Sequence, residues 1–274
     1  MGRVIQTLPR REAVIGVTSL DNHLYVLRDN RYSGQIEVYN VDTCRLLHCL
    51  TVPALDATDI IACRHNLCAY VSDHAFNCVH RVPLSGATVT HWPINDKPAR
   101  LSLTYTHSHS VLVTCWKVRK IKEFSTDGQL LHVLTLPQDV VSPWHAIRLS
   151  SGEFIVCHGA PNNRLHRVCL IGSDGSVVKL FGGPKGSGSQ QMNVPVHMAV
   201  DRNEFVFVAD QNDDRVLLLS PQLTFVREVV SREQLKWQPA RVHLDSDRGR
   251  LYVADNERKD RDRFTTGRVV VVSV

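Results

Sequence analysis

The hydrophobic pattern of this chain has a period of two rather than 3.6. Apolar and polar residues alternate in short runs, such as Gln35 to Val41 and Lys120 to Thr126, that are separated by tight turns. This period places successive side chains on opposite faces of a β-strand. No segment shows an apolar stripe with the capping residues of a helix. The pattern therefore predicts an all-β protein.

The predicted strands fall into six similar units of four, except that the last unit has three. The second strands of the units end at positions 42 to 52 residues apart, which are Asp29, Asp73, Trp116, His158, Asp210 and Asp255. This interval is typical of a four-stranded propeller blade. The predicted blades of this single domain (residues 1–274) span residues 13–52, 57–94, 99–136, 144–181, 196–230 and 240–274.

The missing strand of the sixth unit lies at the other end of the chain. Residues 4–9 (VIQTLP) match the closing strands Leu47 to Pro53 (LHCLTVP) and His132 to Pro137 (HVLTLP). A propeller that takes its last strand from the N-terminus closes its ring with backbone hydrogen bonds and leaves no open sheet edge there. We therefore predict a six-bladed β-propeller of four-stranded antiparallel blades, closed by residues 4–9 beside the strand that starts at Arg268.

One unit, from Phe181 to Pro221, carries a family resemblance. It contains a glycine-rich loop, Val194-Pro195, a strand that ends in Asp201, the strand FVFVAD, the polar turn QNDD and the strand RVLLLS. This order resembles the NHL repeat of tripartite-motif-type proteins, and the resemblance implies a six-bladed propeller. The third unit departs most, because Trp116 and Lys117 stand where the family has Asp and a polar turn.

Composition narrows the functional classes. Of 274 residues, 43% are hydrophobic and 22% are charged, with a net charge of +5. A mildly basic chain accepts an acidic partner but does not require one. The N-terminus lacks the apolar core of a signal peptide, and the longest apolar run, Val269 to Val272, cannot span a bilayer. The eight cysteines mostly lie in apolar strands, and reduced thiols in a cytoplasmic monomer with no membrane contact are expected.

The predicted binding surface is the face where two sets of loops meet around the channel: the turns between second and third strands, and the linkers between blades. Loops on a rigid scaffold are free to carry function. The candidate binding residues on this face are Arg31, Tyr32, Asp73, His74, Trp116, Lys117, Arg119, Trp144, His158, Arg164, Asp210, Arg215, Asp255 and Arg258.

Several of these candidates also have a structural interpretation. The repeated Asp at the end of the second strand is expected to accept backbone N–H bonds from the turn that follows it. The basic stretch from Glu257 to Arg263 is interleaved with acids, which is typical of a solvated loop. Stacked RNA bases would need aromatic side chains beside the charge, and Trp116 and Trp144 are the candidates. Trp92 and Trp237 are interpreted as packing residues.

No motif predicts catalysis. The sequence has no H-E-x-x-H, no G-x-S-x-G and no nucleotide-binding loop before a helix. Cys78 and His80 share a strand face near His74, but a zinc site needs three or four converging ligands. No cofactor or metal ligand is therefore predicted. A Ser-His-Asp arrangement stays open, because a propeller brings remote loops together.

The favoured hypothesis is a non-catalytic recognition module that binds a protein partner through this loop face. Single-stranded RNA is the second candidate, because some NHL domains of the tripartite-motif class bind RNA there. The third is a metal-dependent hydrolase or lyase, since folds related to the resemblance include calcium-dependent lactonases and an amidating lyase.

Overall fold

The computed structural model describes residues 1–29, 34–95, 101–105, 109–260 and 263–274. Regular structure in these ranges is β-strand, apart from one turn of 3-10 helix at Gln211–Asp213. No helix in the described ranges is long and apolar enough to cross a membrane. The all-β prediction is confirmed.

The strands form six antiparallel sheets, and the inner strand of each sheet contacts the inner strands of its two neighbours, so the sheets close into a ring. Strands are numbered along the chain from β1 (Arg3–Thr7) and β2 (Arg11–Glu12). The first three blades, in chain order, are β3 (Val14–Leu20), β4 (His23–Arg28), β5 (Gly34–Asn40) and β6 (Leu46–Val52); β7 (Ala57–Cys63), β8 (Cys68–Asp73), β9 (Cys78–Pro83) and β10 (Thr90–Pro93); and β11 (Leu101–Tyr105), β12 (Val111–Cys115), β13 (Lys120–Phe124) and β14 (Leu130–Thr135). The last three are β15 (Pro143–Arg148), β16 (Phe154–His158), β17 (Leu165–Ile171) and β18 (Val177–Pro184); β19 (Pro195–Val200), β20 (Val206–Asp210), β21 (Arg215–Leu219) and β22 (Phe225–Val230); and β23 (Gln238–Asp245), β24 (Arg250–Asp260) and β25 (Arg263–Ser273), completed by β1 and β2.

The N-terminal strand completes the sixth blade, as predicted. β1 pairs antiparallel with β25, with Val4 opposite Val272 and Thr7 opposite Val270. The Leu8 N–H extends the ladder to the carbonyl oxygen of Val269 at 2.9 Å. The six-bladed ring and its closure are therefore confirmed.

Hydrophobic packing follows the same ring. Among the described residues, six buried clusters fill the spaces between neighbouring blades, one cluster for each pair of blades. Six of the eight cysteines are buried, and all eight are free thiols. Leu8 is 1% exposed and belongs to the cluster between the sixth and first blades, so the closing segment contributes to the core as well as to the ladder.

A buried arginine locks the junction of the sixth and first blades. The Arg28 guanidinium donates to the carbonyl oxygens of Glu12 at 2.9 Å and Gly267 at 3.2 Å. Its Nε donates to Glu37 Oε2 at 2.7 Å, and both side chains are almost fully buried. This ion pair thus binds backbone from both ends of the chain. The buried charge of Arg28 is both paired and hydrogen-bonded, as buried charges in proteins need to be.

Buried carboxylates hold the linkers between blades. Asp255 accepts the backbone N–H groups of Lys236 and Trp237 at 2.9 and 2.8 Å, and Arg268 Nε donates to it at 2.7 Å. Asp210 likewise accepts the N–H of Asn193 at 2.7 Å and pairs with Arg215 at 3.0 Å. Each such carboxylate ties the preceding linker to the blade that follows it.

The prediction that the repeated Asp bonds to the turn after it was therefore incomplete. Asp73 accepts N–H bonds from the following turn, at Ala75 and Phe76, and also from the linker residues Leu55 and Asp56. For Asp210 and Asp255 the bonds to N–H groups come from the preceding linker. The carboxylate lies between the two loops, and the linker passes closer to it than the turn does in these two blades.

The closing segment can be tested by truncating its buried anchor. Leu8→Ala is expected to lower the free energy of unfolding by about 2–5 kcal/mol, because it leaves a cavity between the first and last blades. Ile5→Ala, 40% exposed on β1, is the matched control and is expected to cost less than about 1 kcal/mol. Equilibrium urea unfolding measures both, and equal losses would contradict the role assigned to Leu8.

The carboxylate anchor can be tested by a double-mutant cycle. Asp255→Asn is expected to lower the free energy of unfolding by about 2–3 kcal/mol. Breaking a fully buried ion pair costs about 3–5 kcal/mol, and the loss should be smaller here because Arg268 is 22% exposed. Adding Arg268→Met removes the unpaired charge and should recover part of the loss. Strictly additive effects in urea unfolding would show that the two side chains do not act as a pair.

Candidate functional site

We call the predicted loop face the mouth face; it is formed by the turns between second and third strands and by the linkers between blades. Every inner strand begins at this face, since each follows a linker. In the second, fifth and sixth blades the buried carboxylates Asp73, Asp210 and Asp255 bond to the loops of this face. The described loops of these three blades are therefore tied to the scaffold rather than independent of one another.

Four of the predicted binding residues lie beneath this surface. Asp73, His158, Asp210 and Asp255 are each 0% exposed. Burial beside Arg167 lowers the pKa of His158 to about 4, so its ring is neutral at pH 7. The three carboxylates bond to the loops, and none of the four side chains reaches solvent.

The two predicted aromatic platforms pack against one another. The rings of Trp116 and Trp144 lie 6.1 Å apart and tilted, and both side chains are partly buried. Trp144 Nε1 donates to the carbonyl oxygen of Gly159 at 3.2 Å, and its ring packs between the clusters that flank the fifth blade. Each indole therefore uses part of its surface for packing, which reduces the area that base stacking could use.

The other predicted residues are distributed around the rim, and the structure does not bring them together. Lys117 and Arg164 are exposed, and His74 bonds Asp56 at 2.7 Å. Arg119 donates to the Gln138 carbonyl oxygen, Arg215 pairs with Asp210 and Asp213, and Arg258 donates to Asn212 Oδ1. Arg31 and Tyr32 lie outside the described residues.

A cationic cluster on the mouth face joins residues that sequence reasoning did not connect with one another. Three positive side chains approach the ring of Trp237: Lys236 Nζ at 4.7 Å, Arg10 Cζ at 4.9 Å and Arg268 Cζ at 5.8 Å from its centroid. All three distances lie within the range of cation–π attraction. We call Arg10, Lys236, Trp237 and Arg268 the Trp237 cluster.

The Trp237 cluster keeps an excess of positive charge. Arg10 pairs with Glu257 at 2.6 Å and Arg268 with Asp255 at 2.7 Å. Lys236 is exposed, and no carboxylate in the described ranges pairs with its ammonium group. The cluster joins the N-terminal segment, the linker before β23 and the strand β25, so no local sequence signal could have found it.

A second group of polar residues lies in the central channel just below the mouth. Five inner strands carry a register shift near their start. In four of them the shift lies immediately before a polar residue: Asp59, His145, His197 or Arg241. Such bulges re-aim side chains, and here they direct residues of four blades toward one another across the channel. We call these four residues the hub cluster.

Asp59, His145 and His197 are buried, Arg241 is partly exposed, and the four side chains lie in contact. Asp59 Oδ2 lies 3.5 Å from His197 Nε2, and Asp59 Oδ1 lies 3.4 Å from Arg241 Nε. The imidazoles of His145 and His197 are stacked, with centroids 3.8 Å apart. Burial opposes ionisation of Asp59, but the positive charge of Arg241, with a smaller contribution from the contact with His197, outweighs it and holds the pKa of Asp59 well below its usual value. Burial lowers the pKa of His197.

The cysteine–histidine pair noted in the sequence also belongs to a buried cluster. Cys78 Sγ and Asp73 Oδ2 lie 3.5 and 3.3 Å from His80 Nε2. Burial raises the pKa of Cys78 to about 11, so the thiol is protonated at pH 7. Because Asp73 is already bonded to loop N–H groups, this cluster holds the loops of the second blade in place.

Comparisons with known proteins support the fold and do not assign a family. No protein-family model matches the chain, and no curated protein matches it. The NHL resemblance therefore stays a prediction.

Solved structures resemble the whole ring at low sequence identity. Virginiamycin B lyase from Staphylococcus aureus superposes with a TM-score of 0.65 at 9% identity, covering 97% of this chain and 98% of the lyase. A streptogramin B lyase gives 0.62 at 11% identity, covering 96% and 98%. The β-propeller domain of Cps50 (Swd1) from Myceliophteria thermophila gives 0.65 at 11%, covering both chains completely. At these identities the likeness shows the propeller fold alone.

Proposed function

We propose that this propeller is a non-catalytic recognition module that binds an acidic segment of a protein partner on its mouth face, centred on the Trp237 cluster. The observation that carries the proposal is the convergence of three cationic side chains on one indole. Eight free thiols, six of them buried, support a reducing compartment such as the cytoplasm.

The chemistry of the cluster suits carboxylate ligands. Arginine guanidinium groups bind carboxylates in a bidentate geometry, and Trp and Arg are the residues enriched at the energetic centres of protein interfaces. Arg10 and Arg268 are oriented by Glu257 and Asp255, so little side-chain entropy is lost when a ligand binds. Within the described residues no carboxylate forms an ion pair with the Lys236 ammonium group, and its charge favours an acidic partner.

A protein ligand is favoured over RNA by the position of the aromatic rings. Single-stranded nucleic acid needs open aromatic faces on which bases stack. Trp116 and Trp144 pack on one another, and the ring of Trp237 is already approached by three side chains. Acidic side chains can reach these cations at their outer surface without displacing them.

The proposal is tested with two labelled probes, an oligoglutamate peptide and an oligouridine of equal charge, in fluorescence-anisotropy titrations. Lys236→Glu is expected to weaken peptide binding by about tenfold, which corresponds to about 1.4 kcal/mol. The reason is that the new carboxylate repels the acidic peptide and neutralises part of the cluster's positive charge. Trp237→Ala should weaken it as well, because the guanidinium groups lose the surface that orients them.

Lys179→Glu provides the matched control, because Lys179 is exposed on the outer strand β18 and the variant makes the same change in net charge. Equal weakening by Lys179→Glu and Lys236→Glu would mean that only net charge matters, and the proposed site would be wrong. Tighter binding of oligouridine that depends on Lys236 and falls steeply with salt would establish the RNA alternative instead.

A further inference from the structure

The hub cluster brings together three metal-ligating side chains from three separate blades. One ligand atom each from Asp59, His145 and His197 lies within 4.8 Å of the other two. All three residues are buried. The strands that carry them are far apart in sequence, which explains why spacing predicted no ligand set.

The spacing suits a bridging ion better than a direct hydrogen bond. Asp59 Oδ2 and His197 Nε2 are 3.5 Å apart, beyond the about 2.9–3.0 Å of an ordinary N–H···O bond. Two ligands bound at about 2.0–2.1 Å in a tetrahedral site lie about 3.3–3.4 Å apart. His197 Nε2 is buried, and the carboxylate oxygen that faces it lies at the long limit of hydrogen bonding, although buried polar atoms are normally bonded at shorter range.

His145 is held in the tautomer that a ligand needs. Thr104 Oγ1 donates its single proton to the carbonyl oxygen of Ala146 at 2.6 Å. The 3.0 Å contact between Thr104 Oγ1 and His145 Nε2 must therefore be donated by the imidazole, which leaves Nδ1 with its lone pair. Metal-binding histidines commonly donate their second N–H in this way.

The hydrogen bond that sets the tautomer of His197 is weaker than the one at His145. The Val242 N–H approaches His197 Nδ1 at 3.5 Å, at the long limit of hydrogen bonding. Binding through Nε2 requires the proton to move to Nδ1, where it would face the Val242 N–H, so this long contact would have to open.

Arg241 orients the carboxylate without occupying the atom that faces the histidines. Its Nε contacts Asp59 Oδ1, and its terminal nitrogens donate to the carbonyl oxygens of Thr58 at 2.7 Å and Ala240 at 2.8 Å. Carboxylate ligands usually have such outer partners. Oδ2 is thereby directed toward His197.

We propose that the hub cluster binds one divalent transition-metal ion of the zinc class through Asp59 Oδ2 and one ring nitrogen each of His145 and His197. Two imidazoles and one carboxylate favour zinc, cobalt or iron over calcium and magnesium, which prefer all-oxygen sites. The proposal is independent of the Trp237 cluster, because neither site shares a residue with the other.

The Asp73–Cys78–His80 cluster is the competing site within the described residues. Both oxygens of Asp73 already accept backbone N–H bonds from two loops. A metal there would have to displace those bonds and deprotonate the buried thiol. The hub cluster contains no thiol to deprotonate.

The experiment uses the untagged protein, stripped with a chelator and titrated with zinc by calorimetry and with cobalt by visible spectroscopy. One ion per chain is expected, with the d–d absorption of low-coordinate Co²⁺. Loss of an outer hydrogen-bond partner weakens metal binding by about 10–100-fold. Loss of a ligand should have a larger effect on zinc affinity, and this is expected for both His145→Gln and His197→Gln. Thr104→Val should fall within that 10–100-fold range, and Cys78→Ser should bind as the wild type does.

Circular dichroism establishes that each variant is folded before it is titrated. X-ray absorption of the zinc-loaded wild type needs no variant, and the proposal expects nitrogen and oxygen at about 2.0–2.1 Å with no sulfur at about 2.3 Å. Lack of saturable binding, sulfur in the metal shell, or unchanged affinity in both folded histidine variants would each overturn the proposal.

Discussion

The backbone ladder between β1 and β25 is the constraint on which the other features of the molecule depend. Without it the sixth blade would lack its outer strand, and β25 would expose an edge that could pair with another chain. Arg28 and Glu37 reinforce this junction by binding carbonyl oxygens on both sides of it. Because each blade is packed only against its two neighbours, closure converts a linear series of interfaces into a ring in which every blade has two partners.

Closure also determines which residues of the mouth face stabilise the ring and which remain accessible to a partner. The carboxylates of Asp73, Asp210 and Asp255 are buried and bonded to linker N–H groups, so they are unavailable to a partner. The cations above them are exposed or partly exposed. Substitutions at Lys236 or Lys117 can therefore alter the charge of the surface while Asp210 and Asp255 keep its shape.

The sequence predicted what is encoded locally and repeated. Strand alternation, hairpin turns and the match of residues 4–9 to other closing strands each repeat around the ring, so the blades and their closure were predictable. The repeated Asp was recognised as structural, but its bonds to the preceding linker were not expected, because a linker's path depends on tertiary packing. The Trp237 and hub clusters were not predictable, because each joins residues whose proximity exists only after the ring has closed.

These two clusters differ in a way that separates their roles. The Trp237 cluster straddles the junction of the chain ends, and its long cationic side chains remain adjustable at the surface. The hub cluster is formed by short side chains that bulged inner strands fix in place across the channel. An adjustable, charged surface suits a macromolecular ligand that has many contacts, whereas a buried set of three donors with fixed spacing suits a single small ion. One closed ring therefore provides both geometries, and neither requires the other to be occupied.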